Sequence, residues 1–412
     1  MSAADGLPLL RSVAVIGAGY AGLPLCLHLA KAGLKVTAVD TDENVVRQIN
    51  ERTSKIEEKE DFERFFRDPD VQKNLDAQQV PTLADAFVIA VPTPVNHGDK
   101  SPNLKAVVSA CESLVPFVRP GNLVIIESTV PPLTTEKIVR PILERSGYRV
   151  GPEILLAHCP ERILPGNIMA EAVFNAKVIG GIDERSTARA AQLFGAFVKG
   201  KLLLTNDRTA EFVKLIENSY RDVNVAFANQ VAVLCERLGI DTHQAIEFAN
   251  EHPRVQILNP GIGVGGHCIP IDPWFLVDAC PDITGLLKAA RVLNDEMPHC
   301  TVEKILRSVQ GVEDPRIVCL GATYKPNVRD VRGSPALEVF RLLKERTSAV
   351  TIYDPLLRDY ACDSVLAAAR GADVLAILVP HDLIVTELRF RKQEILAAMR
   401  RPVLLAFSPG VL

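Results

Sequence analysis

The sequence predicts two doubly wound α/β domains of the Rossmann type, joined by a long central helix. Three observations predict this fold class: a glycine-rich turn between a strand and a helix near residue 17, an uninterrupted helical pattern over residues 207–238, and a second run of strands and helices from residue 316. Strands that alternate with helices form parallel sheets covered on both faces. The chain of 412 residues is long enough for two to three domains.

The composition is that of an ordinary globular protein, with 48% hydrophobic residues, 23% charged residues and a net charge of −4. This charge provides no basic field for nucleic acid or an acidic membrane. Residues 1–10 lack the positive region of a signal peptide, and no apolar run is long enough for a transmembrane helix. Nine scattered cysteines without a CxxC pair argue against a disulfide framework or a metal cluster. We therefore expect a cytoplasmic protein without a metal site.

The first element is a βαβ unit with strands at residues 13–17 and 35–40 and a helix at residues 23–32. The motif Gly17-Ala-Gly19-Tyr-Ala-Gly22 follows the first strand. Its first glycine permits the tight turn, the second lets the backbone approach a pyrophosphate, and the third lets helix pack on strand. Asp40 ends the second strand, where a carboxylate binds the adenosine ribose and repels a 2′-phosphate. The unit predicts NAD rather than NADP.

Further strands are predicted at residues 86–91, 123–127 and 154–157, and the charged stretch 50–70 predicts a solvated helix. The loops Val91-Pro-Thr93-Pro and Ser128-Thr129-Val-Pro-Pro follow two of these strands. In open α/β sheets the ligand crevice lies at the carboxyl ends of the strands. Thr93 and Thr129 therefore have hydroxyls available for cofactor or substrate, although ordinary turn chemistry explains these residue types equally well.

The pattern over residues 207–238 predicts one long helix, with Thr205, Asn206 or Asp207 as its N-cap. Lys214 and Asn218 are four residues apart and project from one face, and Arg221 extends that face. Lysine and asparagine together can donate hydrogen bonds to a developing oxyanion, and a lysine can also transfer a proton. A solvated helix face is the alternative interpretation.

The segment from Asn259 to Asp272 is the most informative part of the sequence. Four glycines precede Cys268, which lets the backbone of this loop approach a ligand closely. Asp272 follows by four residues, so a helical turn would bring thiol and carboxylate to one face. This context favours a reactive thiolate at Cys268, whereas we expect inert core thiols elsewhere, at Cys111, Cys235 and Cys319.

From residue 316 a second, smaller Rossmann-like domain is predicted, with strands at residues 317–320, 349–353 and 374–378 and a helix at residues 336–345.

A cysteine nucleophile becomes useful when a dehydrogenase must oxidise an aldehyde further. The thiolate adds to the aldehyde, and the thiohemiacetal loses a second hydride to leave a thioester that water hydrolyses. The sequence offers a dinucleotide turn, a thiol, oxyanion donors and a carboxylate for this chemistry.

These residues resemble those of the UDP-glucose/GDP-mannose dehydrogenases over nearly the whole chain. Besides the segments above, Cys159-Pro-Glu161-Arg162 and Thr323-Tyr-Lys325-Pro-Asn327 carry the resemblance. Within the family, residues 157–166 and 250–255 look most like those of UDP-N-acetylmannosamine dehydrogenases. The resemblance implies an NAD-binding domain at residues 1–204, a central helical dimerisation domain at residues 205–300 and a UDP-binding domain at residues 301–412. It also implies a homodimer or a higher homo-oligomer.

The resemblance further implies roles for single residues. Cys268 is the expected nucleophile, with Lys214 and Asn218 as oxyanion donors and Asp272 activating water, and Glu161 and Thr129 assisting through water and hydrogen bonds. Besides the three motif glycines, the expected NAD contacts are Tyr20, Ala21, Asp40, Thr93, Thr129 and Arg332. The expected substrate contacts are Glu161, Arg162, Lys214, Asn218, Arg221, His252, Arg254, Gly265, Tyr324 and Lys325, with Arg254 expected to reach a second subunit's site.

The implied reaction is the NAD-dependent, four-electron oxidation of a UDP-sugar at C6 for surface polysaccharide synthesis. UDP-N-acetyl-D-mannosamine is the expected substrate, and UDP-N-acetylglucosamine and UDP-glucose are the alternatives. Two other functions share parts of the pattern. A two-electron hydroxyacid dehydrogenase has the βαβ unit and a Lys/Asn helix pair but needs no cysteine. A non-catalytic NAD-dependent sensor or scaffold would keep only the fold.

Overall fold

A computed structural model of the chain describes residues 8–54, 56, 59–96, 98–163 and 166–408. The chain divides into two compact units. The first comprises Met1–Glu217 and Trp274–Ala279, and the second comprises Asn218–Pro273 and Cys280–Leu412.

The first unit is built on a sheet that has eight strands among the described residues. They are β1 (Ser12–Ile16), β2 (Lys35–Val39), β3 (Leu75–Gln78), β4 (Ala86–Ile89), β5 (Leu123–Ile126), β6 (Leu155–His158), β7 (Lys177–Gly181) and β8 (Leu202–Asn206). Their order is β3-β2-β1-β4-β5-β6-β7-β8. Neighbouring strands are parallel except β6 and β7, which are antiparallel.

Helices cover both faces of this sheet, so the predicted doubly wound fold is confirmed. The helices are α1 (Gly22–Lys31), α2 (Glu43–Asn50), α3 (Lys59–Phe66), α4 (Pro69–Asn74), α5 (Lys105–Leu114), α6 (Arg140–Glu144), which a π-helical turn at Thr135–Val139 precedes, α7 (Ile168–Phe174) and α8 (Glu184–Phe194). One apolar core contains buried side chains of α1, α3 and α8, and a second contains those of α5 and of the segment around α6. The strands β4 and β5 are buried along their whole length, which is why their sequences are continuously apolar.

The prediction of one solvated helix over residues 50–70 is wrong. α2 ends at Asn50, and α3 directs Phe62, Phe65 and Phe66 into the first core, where the three side chains are at most 8% exposed. Their i, i+3, i+4 spacing is that of an amphipathic helix with a buried face, in spite of the surrounding charges. No strand was predicted at β3, β7 or β8. β3 is short and contains Asp76, and β7 begins with Lys177.

The long helix α9 (Asp207–Leu238) confirms the prediction for this segment. Among the three candidate N-caps, Asn206 fills the role, because its Oδ1 accepts a hydrogen bond of 2.8 Å from the backbone N–H of Thr209. Residues of α9 up to Glu217 belong to the first unit and those from Asn218 to the second.

The second unit has a parallel sheet with the order β10-β9-β11-β12, built from β9 (Ile317–Leu320), β10 (Val350–Tyr353), β11 (Val374–Ile377) and β12 (Val403–Ala406). Its remaining helices are α10 (Thr242–Asn250), α11 (Asp272–Ala279), which the two units share, α12 (Gly285–Ser308), α13 (Pro335–Arg346), α14 (Val365–Ala369) and α15 (Asp382–Ala398), with a 3₁₀ turn at Arg358–Tyr360. The predicted second Rossmann-like domain is therefore confirmed. Across the described ranges, no helix has the length and apolar character needed to cross a bilayer.

Candidate active site

The glycine-rich turn after β1 contains one open glycine and two that are enclosed by protein. Gly17 has a φ of +91°, and a Cβ on it would lie 2.5 Å from the carbonyl oxygen of Ala90. A Cβ on Gly22 would lie 1.9 Å from the carbonyl oxygen of Gly17, whereas a Cβ on Gly19 would have no heavy atom within 4 Å. The fold therefore requires the first and third glycines, and the space above the second is open to a ligand.

The surroundings of this turn fit NAD. Asp40 follows β2, and its Oδ2 accepts a hydrogen bond of 2.9 Å from the backbone N–H of Ala18 while its Oδ1 accepts one of 3.0 Å from Asp42. Helix α1 begins without a side-chain cap and without an acidic residue in its first turn, so its N–H groups can bind a phosphate. Tyr20 and Ala21 lie in the turn itself. The helix end suits the pyrophosphate, and the carboxylate suits an unphosphorylated adenosine ribose.

Thr93 and Thr129 lie in the loops that follow β4 and β5. Because β1, β4 and β5 are parallel neighbours, these loops leave the sheet at the edge that carries the glycine turn. Ser128 joins the two loops: its Oγ donates a hydrogen bond of 2.7 Å to the carbonyl oxygen of Val91 and accepts one of 2.8 Å from Val91 N–H. The structure thus brings the two predicted threonines to the dinucleotide edge.

Glu161 is held by a buried lysine that sequence reasoning missed. Lys177 Nζ donates hydrogen bonds of 2.7 Å to Glu161 Oε2 and 2.8 Å to Glu127 Oε1. The other oxygen of Glu161 accepts a bond of 2.7 Å from the backbone N–H of Arg162. No local signal marked Lys177, because β7, the buried strand that it begins, was not predicted.

The two carboxylates on Lys177 differ in their tendency to ionise. Burial raises the pKa of Glu127 to about 7. Burial also disfavours the charged form of Glu161, but the charge and hydrogen bond of Lys177 outweigh it and lower the pKa of Glu161. His158 is completely buried, and this burial lowers its pKa to about 3. Glu161 is therefore the ionised acceptor of this cluster at neutral pH.

The predicted substrate residue Arg162 is engaged within the first unit. Its guanidinium forms an ion pair of 2.6 Å with Glu217 and donates a hydrogen bond of 2.8 Å to the carbonyl oxygen of Ala176. Lys214, one turn earlier on α9, is half-buried. Within the described ranges its ammonium forms no ion pair, so it keeps its donors for a ligand.

Glu211, also on α9, fixes the chain that follows Thr129. Its carboxylate accepts hydrogen bonds of 2.6 Å from Leu133 N–H and 2.7 Å from Thr135 N–H. Leu133 has a φ of +72°, a backbone conformation that these bonds help to hold. Burial raises the pKa of Glu211 to about 7. Sequence reasoning missed this residue, because its partners lie 76 and 78 positions away.

In the second unit, Asp272 is fixed one helical turn after Cys268. The Asp272 backbone N–H donates a hydrogen bond of 2.9 Å to the carbonyl oxygen of Cys268, which confirms the predicted turn. Its Oδ2 accepts a bond of 2.5 Å from Asn218 Nδ2, and both side chains are buried. Cys268 is exposed, in contrast to the buried thiols of Cys111, Cys235 and Cys319. The structure therefore brings together three of the predicted catalytic residues.

The glycines before Cys268 are required by packing within the same unit. A Cβ on Gly265 would lie 2.7 Å from the Cβ of Tyr324, and Gly266, with a φ of +89°, faces the Tyr324 ring. Gly266 N–H also donates a hydrogen bond of 3.0 Å to the carbonyl oxygen of Arg332. The structure thus joins two predicted substrate residues, Gly265 and Tyr324. It gives these glycines a structural reason that the sequence did not reveal.

Arg332, a predicted NAD contact, lies beside the cysteine loop in this unit. Its guanidinium forms an ion pair of 2.6 Å with Asp330. The hydrogen bonds to Asp330 raise the pKa of Arg332 against the effect of burial, and the charges of Tyr324 and Cys268 raise it further. Arg332 therefore lies within electrostatic reach of Cys268.

A buried polar chain that sequence reasoning missed runs from α12 through α9 to the start of the cysteine loop. Arg291 pairs with Asp222, whose Oδ1 also accepts a bond of 2.9 Å from Asn294. Asn229 donates a bond of 2.9 Å to Asn294 Oδ1 and accepts one of 2.8 Å from Gly261 N–H. This chain anchors the loop that carries Cys268 to two helices.

The remaining predicted substrate residues lie on exposed surface. Arg221 is exposed on α9, His252 and Arg254 lie on the turn after α10, and Lys325 is exposed in the loop after β9. Arg254 N–H donates a hydrogen bond of 3.3 Å to His252 Nδ1. In the part of the chain that the structure describes, none of the four side chains forms an ion pair. The structure does not join them to Cys268 or Asp272.

Three family models match the chain in sequence order. The NAD binding domain of the UDP-glucose/GDP-mannose dehydrogenase family matches residues 11–198, its central domain matches residues 208–296 and its UDP binding domain matches residues 318–407.

Similar proteins carry consistent names. A Methanococcus maripaludis protein named UDP-N-acetyl-D-mannosamine dehydrogenase is 43% identical over 384 residues, which are 92% of this chain and 88% of that protein. A Ralstonia solanacearum protein named NDP-N-acetyl-D-galactosaminuronic acid dehydrogenase is 38% identical and covers 93% and 92% of the two chains. The solved UDP-D-ManNAc dehydrogenase of Pyrococcus horikoshii superposes with a TM-score of 0.91 at 35% identity, covering 97% and 96%.

Proposed function

The chain belongs to the UDP-glucose/GDP-mannose dehydrogenase family and is an NAD-dependent UDP-sugar dehydrogenase, and we propose that its substrate is UDP-N-acetyl-D-mannosamine. The proposed reaction converts the C6 alcohol of the sugar into a carboxylate. It consumes two NAD and one water for each sugar and yields UDP-N-acetyl-D-mannosaminuronate. We further propose that this product serves surface polysaccharide synthesis.

One arrangement in the second unit supports the cysteine mechanism above all. An exposed thiol at Cys268 stands one helical turn before a buried carboxylate, Asp272, which Asn218 holds by a hydrogen bond of 2.5 Å. A two-electron alcohol dehydrogenase has no use for this combination. A thioester mechanism uses the thiol as nucleophile and the carboxylate to activate water.

The first oxidation needs a hydride acceptor and a proton acceptor. Gly17, Gly19, Gly22 and Asp40, with Tyr20, Ala21, Thr93 and Arg332, would hold NAD, which when bound accepts hydride from the sugar carbon. We assign removal of the hydroxyl proton to the Glu161 carboxylate, acting through water, while the Lys214 ammonium stabilises the developing alkoxide. Glu161 and Thr129 hold water for this transfer, and Lys177 keeps Glu161 ionised.

The second oxidation proceeds on the cysteine. The Cys268 thiolate attacks the C6 aldehyde, a C–S bond forms, and the carbonyl oxygen becomes an oxyanion that Lys214 and Asn218 stabilise. Loss of a second hydride leaves a thioester. Asp272 takes a proton from water, the resulting hydroxide attacks the acyl carbon, and the C–S bond breaks to release the acid and the thiolate.

The choice of sugar rests on the names of relatives. Proteins of 40–45% identity that cover most of this chain are named UDP-N-acetyl-D-mannosamine dehydrogenase. UDP-N-acetylglucosamine and UDP-glucose are the alternatives. The test is incubation of the protein and NAD with a panel of UDP-sugars while the absorbance of NADH is followed. UDP-N-acetylmannosamine should react fastest, and a faster reaction with another sugar would replace it as the proposed substrate.

The mechanism is tested by counting NADH and by replacing the thiol. We expect two NADH per sugar, and Cys268→Ala should form no carboxylate while the exposed-thiol control Cys300→Ala forms it normally. One NADH per sugar, or unchanged acid formation by Cys268→Ala, would contradict the thioester step. A single thiol that is alkylated near neutral pH and protected by the UDP-sugar would argue against a non-catalytic sensor or scaffold.

We also propose a homodimer. In the second unit, α9 exposes a row of large apolar side chains, which are 50–69% accessible at Tyr220, Phe227, Leu234 and Leu238. A face of this kind on a single copy is typical of an interface. Phe248 on α10 is also exposed. It lies close in sequence to Arg254, which we expect to reach the active site of the partner subunit. Light scattering at micromolar concentration should give twice the chain mass, and a monomer would refute the dimer.

Three domain assignments and a cellular location complete the proposal. The cofactor domain spans residues 1–204, the dimerisation domain residues 205–300 and the UDP-binding domain residues 301–412. We place the reaction in the cytoplasm, where cysteine thiols remain reduced.

A further inference from the structure

The second sheet repeats the backbone geometry of the dinucleotide turn. Gly17 follows β1 with a φ of +91°, and its N–H donates a hydrogen bond of 2.8 Å to the carbonyl oxygen of Val39. Gly321 follows β9 with a φ of +89°, and its N–H donates a bond of 2.8 Å to the carbonyl oxygen of Tyr353. The strand order β2-β1-β4-β5 of the first sheet corresponds to β10-β9-β11-β12 of the second.

The repeat extends to the carboxylate. Asp354 follows β10 as Asp40 follows β2. Asp354 Oδ2 accepts a hydrogen bond of 2.7 Å from Ala322 N–H and its Oδ1 accepts one of 2.8 Å from Leu356 N–H. These bonds match those that Asp40 accepts from Ala18 and Asp42. Asp354 therefore occupies the position of a carboxylate that binds a ribose in a dinucleotide domain.

The two carboxylates differ in what they face. Asp40 is half-buried, whereas Asp354 is completely buried and its Oδ2 lies 3.0 Å from Nε2 of His381, which is also completely buried. His381 lies in the segment between β11 and α15. The histidine ring thus takes the place in which a ribose hydroxyl would bind.

The other ring nitrogen of His381 holds the loop after β9. His381 Nδ1 accepts a hydrogen bond of 2.9 Å from Asn327 N–H, so the tautomer with hydrogen on Nε2 satisfies both contacts. The next backbone N–H, that of Asp382, donates a bond of 3.0 Å to Asn327 Oδ1. Nε2 also lies 3.2 Å from Thr323 Oγ1, which donates to the carbonyl oxygen of Lys325. Both ends of the loop are therefore fixed.

We propose that Asp354 and His381 act as a positioning pair that closes the second sheet to a dinucleotide and orders the loop from Thr323 to Asn327 for the uridine diphosphate part of the substrate. Tyr324 and Lys325 project from this loop, and a fixed backbone removes part of the entropy cost of binding through a long lysine side chain. The pair itself touches no reacting atom. The inference rests on the proposed role of Tyr324 and Lys325 as substrate contacts.

The test compares UDP and NAD binding by calorimetry in the full chain and in Asp354→Asn, His381→Leu and His381→Asn. We expect the first two variants to weaken UDP binding, and to raise the KM for the UDP-sugar, by roughly tenfold or more, because the ordered loop is lost. The NAD dissociation constant should change less than about twofold, because the glycine turn and Asp40 are untouched, and kcat at saturating sugar should fall less than UDP affinity does. His381→Asn keeps an acceptor for Asn327 N–H and should recover part of the UDP affinity.

Asp373→Asn is the matched control. Asp373 is a buried carboxylate at the amino end of β11, where it accepts a hydrogen bond of 2.8 Å from Arg316 N–H and pairs with Arg400. It should lower stability without changing UDP affinity. UDP affinity that falls equally in Asp373→Asn, or not at all in Asp354→Asn and His381→Leu, would overturn the positioning role.

A measurement on the unmodified chain tests the closed second sheet independently of any variant. The chain should bind one NAD, and two NAD per chain would overturn the closure. If the unmodified chain binds NAD but not UDP, the proposed function fails and this inference fails with it. If the unmodified chain binds UDP and the variants bind it equally well, only this inference fails.

Discussion

Replacing the buried cation of the first unit with an apolar side chain of similar length should destabilise the protein strongly. In Lys177→Met the ammonium that bridges Glu127 and Glu161 is lost, and two carboxylates that are at most 19% exposed then face each other. Removing one member of a buried ion pair typically costs about 3–5 kcal/mol of unfolding free energy. We expect a loss in that range at pH 8.

The loss should depend on pH. In the unmodified protein, burial raises the pKa of Glu127 to about 7, while Lys177 lowers that of Glu161 against the effect of burial. Without the cation, burial holds both folded-state pKa values above the unfolded value of about 4.3, so these two groups favour the folded state of the variant most below that pH. Its stability falls as the pH rises through the folded values. The deficit relative to the unmodified protein should therefore be largest at pH 8 and smaller at pH 5.

Urea unfolding at pH 5 and pH 8 measures both effects. Lys201→Met is the control, because Lys201 precedes the neighbouring strand β8, is exposed, and loses the same charge. It should change the unfolding free energy by less than about 0.5 kcal/mol at either pH. A loss below about 1 kcal/mol for Lys177→Met at pH 8, or equal losses at the two pH values, would refute the assignment of Lys177 as the charge that holds these carboxylates.

Two further substitution tests follow from the geometry. Gly19→Ala should fold with nearly unchanged stability but weaken NAD binding by about tenfold or more in calorimetry, because its methyl group occupies the open approach to the turn. Gly22→Ala should lose stability instead, since its Cβ would lie 1.9 Å from the carbonyl oxygen of Gly17, and similar behaviour of the two variants would contradict this distinction. Asn229→Leu leaves Gly261 N–H without its acceptor and should cost about 1–3 kcal/mol in urea unfolding. It should leave NAD affinity unchanged, and an unchanged unfolding free energy would show that the polar chain does not anchor the cysteine loop.

The parts of the fold that the sequence predicts well are those governed by local patterns. α9 begins and ends at the predicted residues, because an Asn cap starts it and no proline interrupts it. β9 likewise coincides with its predicted bounds, since a short apolar strand buried on both faces has few alternative interpretations. The glycine turn and Asp40 were predicted because the motif constrains backbone and side chain together. These features depend on residues close together in the chain.

Contacts between distant residues could not be predicted in this way. Lys177 and Glu127 are 50 positions apart, and Asn229 and Asn294 are 65 positions apart. Nothing in the local sequence distinguishes these polar residues from solvated ones. The cysteine loop illustrates the same limit: its glycines suggested a close ligand, but Gly265 and Gly266 are also required by the Tyr324 side chain.

Pro298 shows how a residue that weakens a helix can serve the loop beside it. It lies inside α12 and has no N–H to donate to the carbonyl oxygen of Asn294, four residues earlier. A Cβ on Gly263 would lie 3.1 Å from that oxygen, so the glycine backbone packs against the interrupted turn. The missing helical bond thus falls where the cysteine loop meets α12.

The proposed four-electron oxidation places opposite demands on NAD and on the UDP-sugar. NADH must leave and NAD must return between the two hydride transfers, whereas the sugar nucleotide must stay until the thioester is hydrolysed. An open turn at Gly19 with a half-buried Asp40 suits a ligand that exchanges. A loop fixed at both ends through a buried Asp354–His381 pair suits a ligand that is retained. If this reasoning holds, His381→Leu should release aldehyde into solution during turnover, detectable with a carbonyl-trapping hydrazine, whereas the unmodified protein should release none. If neither protein released aldehyde, the proposed covalent bond to Cys268 alone would account for retention of the intermediate.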